Sequence, residues 1–193
     1  MRGGGRMSDR YSETILLCED KAQARLVAAF LKRCGQANQH PLLRSLIASQ
    51  MQSGGNDKWV LNQFPIQLSA CRKRHMSKSN TRLIVAIDAD HHSIDERLRQ
   101  LLDRTKAANL ENVSDNESVV LLIPKRNIET WIKCLLGETV NEVDDYKSWT
   151  KPPKEVFRAI ADTLHIWSRP NATPGSNCVD SLRIALPKWK KIG

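Results

Sequence analysis

Three short apolar runs without polar alternation lie in the first two thirds of the chain, at residues 14–18, 83–87 and 118–123. Continuous apolar runs of this length, bounded by polar residues, are typical of strands that are buried on both faces of a parallel sheet. The pattern therefore predicts three buried strands.

The segments between and after these strands carry apolar residues at helical spacing. Pro41 and Pro65 can each occupy a first helical turn, and Ser93 or His92 can cap the helix that follows the second strand. The predicted helices cover residues 21–33, 42–51, 65–74, the segment after residue 93, 127–136, 153–164 and 176–186. Strands that alternate with helices indicate right-handed βαβ units, and hence an α/β fold with a Rossmann-like parallel sheet flanked by helices.

The chain of 193 residues suits one domain with appendages. Residues 1–12 are rich in Gly, Arg and Ser and predict a disordered basic tail. Residues 13–140 form the predicted α/β core. Residues 141–193 are predicted to be a helical C-terminal extension packed on that core, and residues 187–191 a basic tail at its end.

The charge balance changes the picture, because 30 Lys and Arg face 21 Asp and Glu and give a net charge of +9. A basic surface favours a polyanion, most simply nucleic acid, although an acidic protein or a membrane surface could use the same charge. No apolar stretch approaches the roughly 20 residues of a membrane span, and no secretory signal is visible. The five cysteines form no CxxC pair, so we expect reduced thiols in a cytoplasmic protein.

Carboxylates follow the first two predicted strands directly. Glu19 and Asp20 come after the first strand, and Asp88 and Asp90 come after the second. Because the carboxyl ends of parallel strands share one edge of a sheet, we expect Glu19, Asp88 and Asp90 to meet there. Clustered carboxylate oxygens are the ligands that Mg²⁺ or Mn²⁺ prefers. The alternative is that Asp20 or Asp90 only caps the next helix.

Other polar residues are predicted to lie at the same edge. Glu129 is either a further metal ligand or an acid favoured by the dipole of its helix. Lys125 and Arg126 either hold a phosphate and stabilise its developing charge or are exposed loop charges. His91 and His92 are expected to be an exposed loop pair rather than ligands.

Basic residues near the second strand suggest a path for nucleic acid. Arg72, Lys73 and Arg74 form the densest basic cluster, and Arg97 lies on the helix after the strand. Such residues would contact phosphates without sequence preference. A solvated helix face is the alternative for Arg97. The chain has no GxxxxGK[ST] loop, so we do not expect it to hydrolyse ATP.

Two segments, LLCED and LIVAIDAD, resemble the Toprim family of topoisomerases, primases and nucleases, and the later segment PKRNIETW resembles a Glu-x-Trp helix found in several small Toprim-like nucleases of phage defence. The similarity covers roughly residues 13–136 and is greatest to divergent Toprim-like nucleases of phage defence, related to the overcoming-lysogenization-defect nucleases. The glycines that many Toprim domains carry after the glutamate and after Asp-x-Asp are replaced here by Asp20 and residues 91–93.

The resemblance implies that Glu19 acts as an acid/base or ligand and that Asp88 and Asp90 bind Mg²⁺ or Mn²⁺. It implies a metal-dependent nuclease acting on DNA or RNA, with transfer RNA as one candidate. It also implies an anti-phage effector that works beside an ATPase partner, and a homodimer is an open question. The competing hypotheses are a non-catalytic module that binds nucleic acid or the ATPase, and a phosphatase-like hydrolase that uses Asp88 as nucleophile.

Overall fold

The computed structural model describes residues 11–35, 42–52, 54–149 and 153–193. The chain is an α/β protein, as predicted, with four strands and seven helices in these residues. Their order is β1 (Glu13–Cys18), α1 (Lys21–Arg33), β2 (Leu42–Ile47), α2 (Ala48–Met51), α3 (Asn56–Met76), β3 (Thr81–Ala86), α4 (Ile94–Ala107), β4 (Val119–Leu122), α5 (Ile128–Leu135), α6 (Val156–Trp167) and α7 (Asp180–Ile192).

The four strands form one parallel sheet in the order β2-β1-β3-β4. The two central strands are β1 and β3, and Cys18 at the end of β1 pairs with Ala86 at the end of β3. The pairing of these last residues brings whatever follows the two strands to the same edge of the sheet.

Helices cover both faces of the sheet because alternate residues of each strand point to opposite faces. Leu16 and Ile84 pack in a core with residues of α1, α5, α6 and α7. Leu17 and Val85 pack in a second core with residues of α3 and α4. This double coverage explains why residues 15–18 of β1 and 83–86 of β3 are all apolar.

The helix predicted at residues 42–51 is wrong. The structure has β2 over residues 42–47, followed by the single turn of α2. The side chains of Arg44 and Ser45 are exposed, as suits an edge strand that pairs with β1 on one side alone. Backbone pairing with β1 outweighs the helical spacing of a short segment. Pro41 lies outside the described residues.

Two prolines lie inside helices instead of at the boundaries predicted from them. Pro65 is in the middle of α3, which begins nine residues earlier than the first residue predicted for that helix. Pro187 is inside α7, which continues to Ile192, so the predicted basic tail at residues 187–191 is helical instead.

Residues of the C-terminal extension lie in the same core as α1 and the sheet. Trp189 of α7 is fully buried, with its ring centroid 4.9 Å from that of Phe30 and 6.4 Å from that of Trp131. Ile160 and Leu182 are also fully buried in this core. The extension therefore supplies much of the cover for one face of the sheet.

The predicted N-terminal tail lies mostly outside the described residues. Of residues 1–12, the structure describes Tyr11 and Ser12, and the Ser12 N–H donates to the carbonyl oxygen of Asn80 at 2.8 Å. In the part of the chain that is described, no helix has the length and apolar character needed to cross a membrane.

Candidate active site

Strand ends position two of the three predicted acids. Glu19 is the residue after β1, and Asp88 is the second residue after β3. The backbone beyond β3 stays in register with the segment after β4, since the N–H of Ile87 donates to Leu122 and that of Ala89 to Pro124. Asp88 is thereby held between two backbone hydrogen bonds on the buried edge of the sheet.

Hydrogen bonds join Glu19, Asp88 and a third residue, Gln23. The Asp88 N–H donates to Oε1 of Glu19 at 2.6 Å. The side-chain oxygen of Gln23 accepts from the Glu19 N–H at 2.8 Å, and its Nε2 donates to Oδ1 of Asp88 at 2.9 Å. All three side chains are buried, so the amide of Gln23 fixes the distance between the two acids.

Burial makes ionisation of these two acids unfavourable. Burial is the main reason that the pKa of Glu19 rises to about 7, with the charge of Asp90 adding to the effect. The pKa of Asp88 lies well above its ordinary value, because of burial and then because of the charge of Glu19. Groups with such raised pKa values concentrate at functional sites.

Asp90 completes the cluster from a strained backbone position. Its φ of 54° lies in the left-handed region, which non-glycine residues adopt infrequently. Its Oδ1 accepts from the ammonium of Lys147 at 2.7 Å, and its Oδ2 lies 3.7 Å from the guanidinium of Arg97. The structure thus brings Glu19, Asp88 and Asp90 into one electrostatic cluster that also contains two cations.

Burial alone would lower the pKa of Lys147. The hydrogen bond from Lys147 to Asp90 and the charges of Asp88, Asp90 and Glu19 act in the opposite direction, and the pKa is raised on balance. The carboxylates therefore hold the ammonium in its charged form.

The candidate site contains carboxylate oxygens of the kind that bind divalent cations, but they are not arranged to hold one. Glu19 and Asp88 offer buried carboxylate oxygens, which Mg²⁺ and Mn²⁺ prefer. Within residues 11–35, 42–52, 54–149 and 153–193, however, no group of three His, Cys, Asp or Glu side chains is arranged to hold a metal ion. The two oxygens of Asp90 face the cations Lys147 and Arg97 instead.

Two polar residues near the candidate site, Asp20 and Ser93, cap helices. Oδ1 of Asp20 accepts from the backbone N–H groups of Ala22 and Gln23, so Asp20 caps α1. Ser93, and not Asp90, caps α4 in a reciprocal pair with Glu96. The capping alternative therefore holds for Asp20 and fails for Asp90.

The residues after β4 lie at the same edge. Lys125 donates to the carbonyl oxygen of His92 at 2.7 Å, which ties this loop to the segment after β3. Arg126 lies 3.0 Å from Nδ1 of the exposed His91 and 3.5 Å from Asp145. Glu129 is buried in the first turn of α5, and its role as a metal ligand stays a prediction.

The predicted basic cluster lies elsewhere. Arg72, Lys73 and Arg74 are in the last turns of α3, before the start of β3 and hence at the opposite edge of the sheet. Arg72 is paired with Glu117 at 2.8 Å, and Arg74 with Glu13 at 2.7 Å. Lys73 is exposed. These contacts do not support the path predicted for nucleic acid.

Arg97 is not available to nucleic acid either. Its side chain is 2 % exposed and lies 3.3 Å from Asp57 and 3.7 Å from Asp90. The solvated helix face considered as its alternative is wrong as well. Arg97 neutralises acids beneath the site, and its predicted phosphate contact would require it to leave that buried position.

Sequence reasoning missed Gln23 and Lys147. Gln23 has a signal in retrospect, because an amide four residues after Glu19 falls on the face of α1 that is otherwise apolar. Lys147 has none, since it lies in a polar segment 57 residues from Asp90.

Comparison with known proteins does not assign the chain to a family. No family model, no curated protein and no solved structure gave a significant match to the chain. The Toprim resemblance stays a prediction from the three motifs.

Proposed function

We propose that the protein is a metal-dependent nuclease that hydrolyses phosphodiester bonds in DNA or RNA. The observation that carries the proposal is that Glu19, Asp88 and Asp90 lie together at the carboxyl edge of a parallel sheet. The Asp88 N–H donates to Glu19, the charge of Asp90 raises the pKa of Glu19, and Lys147 donates to Asp90. This edge is where α/β proteins bind ligands. The net charge of +9 favours a polyanionic substrate.

In this proposal Glu19, Asp88 and Asp90 would hold Mg²⁺ or Mn²⁺ once Asp90 separates from Lys147 and Arg97, and Glu129 is a further candidate ligand. When bound, such an ion lowers the pKa of a water and stabilises charge on a phosphate oxygen. Gln23 keeps Asp88 oriented through their 2.9 Å hydrogen bond. Lys125, which donates to the carbonyl oxygen of His92 at the same edge, would supply positive charge toward the phosphate.

The biological setting is proposed from the resemblance. The protein would act in the cytoplasm as an effector of anti-phage defence, and an ATPase partner would control it. The chain has no phosphate-binding GxxxxGK[ST] loop, so the proposal assigns nucleotide hydrolysis to the partner.

The test is cleavage of duplex DNA and transfer RNA with Mn²⁺, with Mg²⁺ and with EDTA. We expect cleavage with Mn²⁺ or Mg²⁺ and none with EDTA. The variant Asp88→Asn, which keeps the shape of the buried side chain, should not cleave. The matched control is Asp95→Asn, because Asp95 is an exposed acid in the first turn of α4. Intact substrates with folded wild-type protein and every metal would refute the proposal.

A second candidate function is a binding module without catalysis. The pairing of Asp90 with Lys147 and Arg97 favours it, because two cations already oppose the charge of this acid. Retained nucleic-acid binding without cleavage, and without any change in melting temperature on addition of Mn²⁺, would select this candidate over the nuclease.

A further inference from the structure

The solvent-facing side of α1 has an unusual composition. The helix contains no acidic residue, and its solvent-accessible positions are held by alanines and by four cations, Lys21, Arg25, Lys32 and Arg33. Helix surfaces in soluble proteins ordinarily carry both signs of charge, since opposite charges one turn apart stabilise the helix. A face that carries charges of one sign favours contact with an anionic partner.

Two more cations lie beside this face, Lys154 shortly before α6 and Arg158 within it. Lys154 and Arg158 are exposed and line a cleft with Lys32 and Arg33 of α1. The cleft has a volume of about 420 Å³ and a floor of small or buried apolar side chains, Ala29, Phe157 and Ala161.

Most of these cations have no acidic partner. Arg33 is paired with Asp162. Among the residues that the structure describes, no ion pair involves Lys21, Arg25, Lys32, Lys154 or Arg158. We call these five residues the basic track.

The basic track begins at the candidate active site. Lys21 is the first residue of α1 and lies two positions after Glu19. Lys32 is eleven residues further along the helix, which corresponds to about 16 Å at a rise of about 1.5 Å per residue. This length matches about five steps of a nucleic-acid duplex, at about 3.4 Å each.

We infer that the basic track binds the sugar–phosphate backbone of a nucleic acid and leads it to the carboxylates at the sheet edge. The inference deepens the proposed function and rests on it for the choice of ligand. The alternative of an acidic protein is less well supported, because stable protein interfaces need aromatic or large apolar anchors. The accessible positions of α1 offer alanines instead, whereas phosphates need cations alone.

The test measures binding in EDTA, so that cleavage plays no part. A labelled 20-base-pair DNA duplex and labelled transfer RNA are titrated by fluorescence anisotropy at several salt concentrations. The variant is Lys32→Gln with Arg158→Gln. The matched control is Lys73→Gln with Lys106→Gln, which removes the same charge from exposed lysines outside the track. Melting temperatures verify that both variants fold.

We expect the track variant to bind the duplex about tenfold more weakly at low salt. The slope of log K against log[salt] should become shallower by about 2, or about 1 for each phosphate that the variant no longer neutralises. The control should keep the wild-type slope. An unchanged slope in the track variant, or an equal loss in the control, would overturn the inference. Binding of acidic polyglutamate that is weakened in the track variant, with nucleic-acid binding unchanged, would also overturn it.

The two proposals fail separately. If the wild-type protein cleaves nothing but the track variant loses salt-dependent binding, the nuclease is refuted and the basic track stands. If cleavage requires Asp88 and metal but the track variant binds like the wild type, the basic track alone is refuted.

Discussion

The variant Glu19→Gln tests whether burial of the ionised Glu19 carboxyl lowers the free energy of unfolding. The carboxyl of Glu19 is buried and accepts from the Asp88 N–H, which the amide oxygen of glutamine can also do. Glutamine has nearly the same shape and no charge to desolvate. The substitution therefore removes the ionisation of one buried acid and little else.

The magnitude follows from the pKa of Glu19, which burial raises from 4.5 to about 7. At about 1.4 kcal/mol per tenfold change in the ionisation constant, this displacement costs about 3 kcal/mol once the acid is ionised. Below pH 4.5 the acid is protonated in the folded and unfolded states alike, and the cost is absent. Between pH 4.5 and 7 the folded state binds more protons, so stability falls as the pH rises.

We therefore expect Glu19→Gln to be more stable than the wild type at pH 8 and only slightly so at pH 5. The difference between the two pH values should be about 2 kcal/mol, or about 4–8 °C in melting temperature for a chain of this size. Thermal melts in EDTA measure it, with the exposed Glu155→Gln as control. A variant that is destabilised at pH 8, or a difference that does not depend on pH, would refute the argument.

Two further predictions concern single contacts. Lys147→Met removes the cation that donates to Asp90, so we expect Mn²⁺ to bind about tenfold more tightly by calorimetry because one positive charge no longer competes. Weaker binding would show that Lys147 supports the ion instead. Ser181→Ala leaves the buried Trp131 N–H without its 2.6 Å acceptor, and we expect a loss of about 1–3 kcal/mol in urea unfolding. Equal stability would contradict the packing of α7, and the exposed Ser114→Ala serves as control.

The sequence predicts three of the four strands for a physical reason. Strands β1, β3 and β4 are covered on both faces, so residues 15–18, 83–86 and 119–122 are apolar without interruption and stand out from the helices around them. Strands β2 and β4 both lie at edges of the sheet, but β2 has exposed positions at Arg44 and Ser45, and its mixed composition carries no comparable signal.

The same reasoning explains which residues of the candidate site the sequence predicts. Glu19 and Asp88 follow buried strands directly, and the shared edge of parallel strands is enough to bring them together. The partners of Asp90 come from outside its strand. Arg97 reaches it from α4, the next helix, and Lys147 from beyond α5. Lys147 is 57 residues away in the chain, and no periodic pattern signals a contact over that separation.

The pairing of charged side chains is the feature that the sequence predicts least well. The sequence determined that the protein is basic, and that its densest basic cluster is at residues 72–74. Only the tertiary structure decided which cations are neutralised: Arg72, Arg74 and Arg97 face acids, whereas Lys32 and Arg158 face solvent. The reason is that a local pattern fixes which face of a helix is buried, but the partner of a charge is set by whichever element the fold packs beside it.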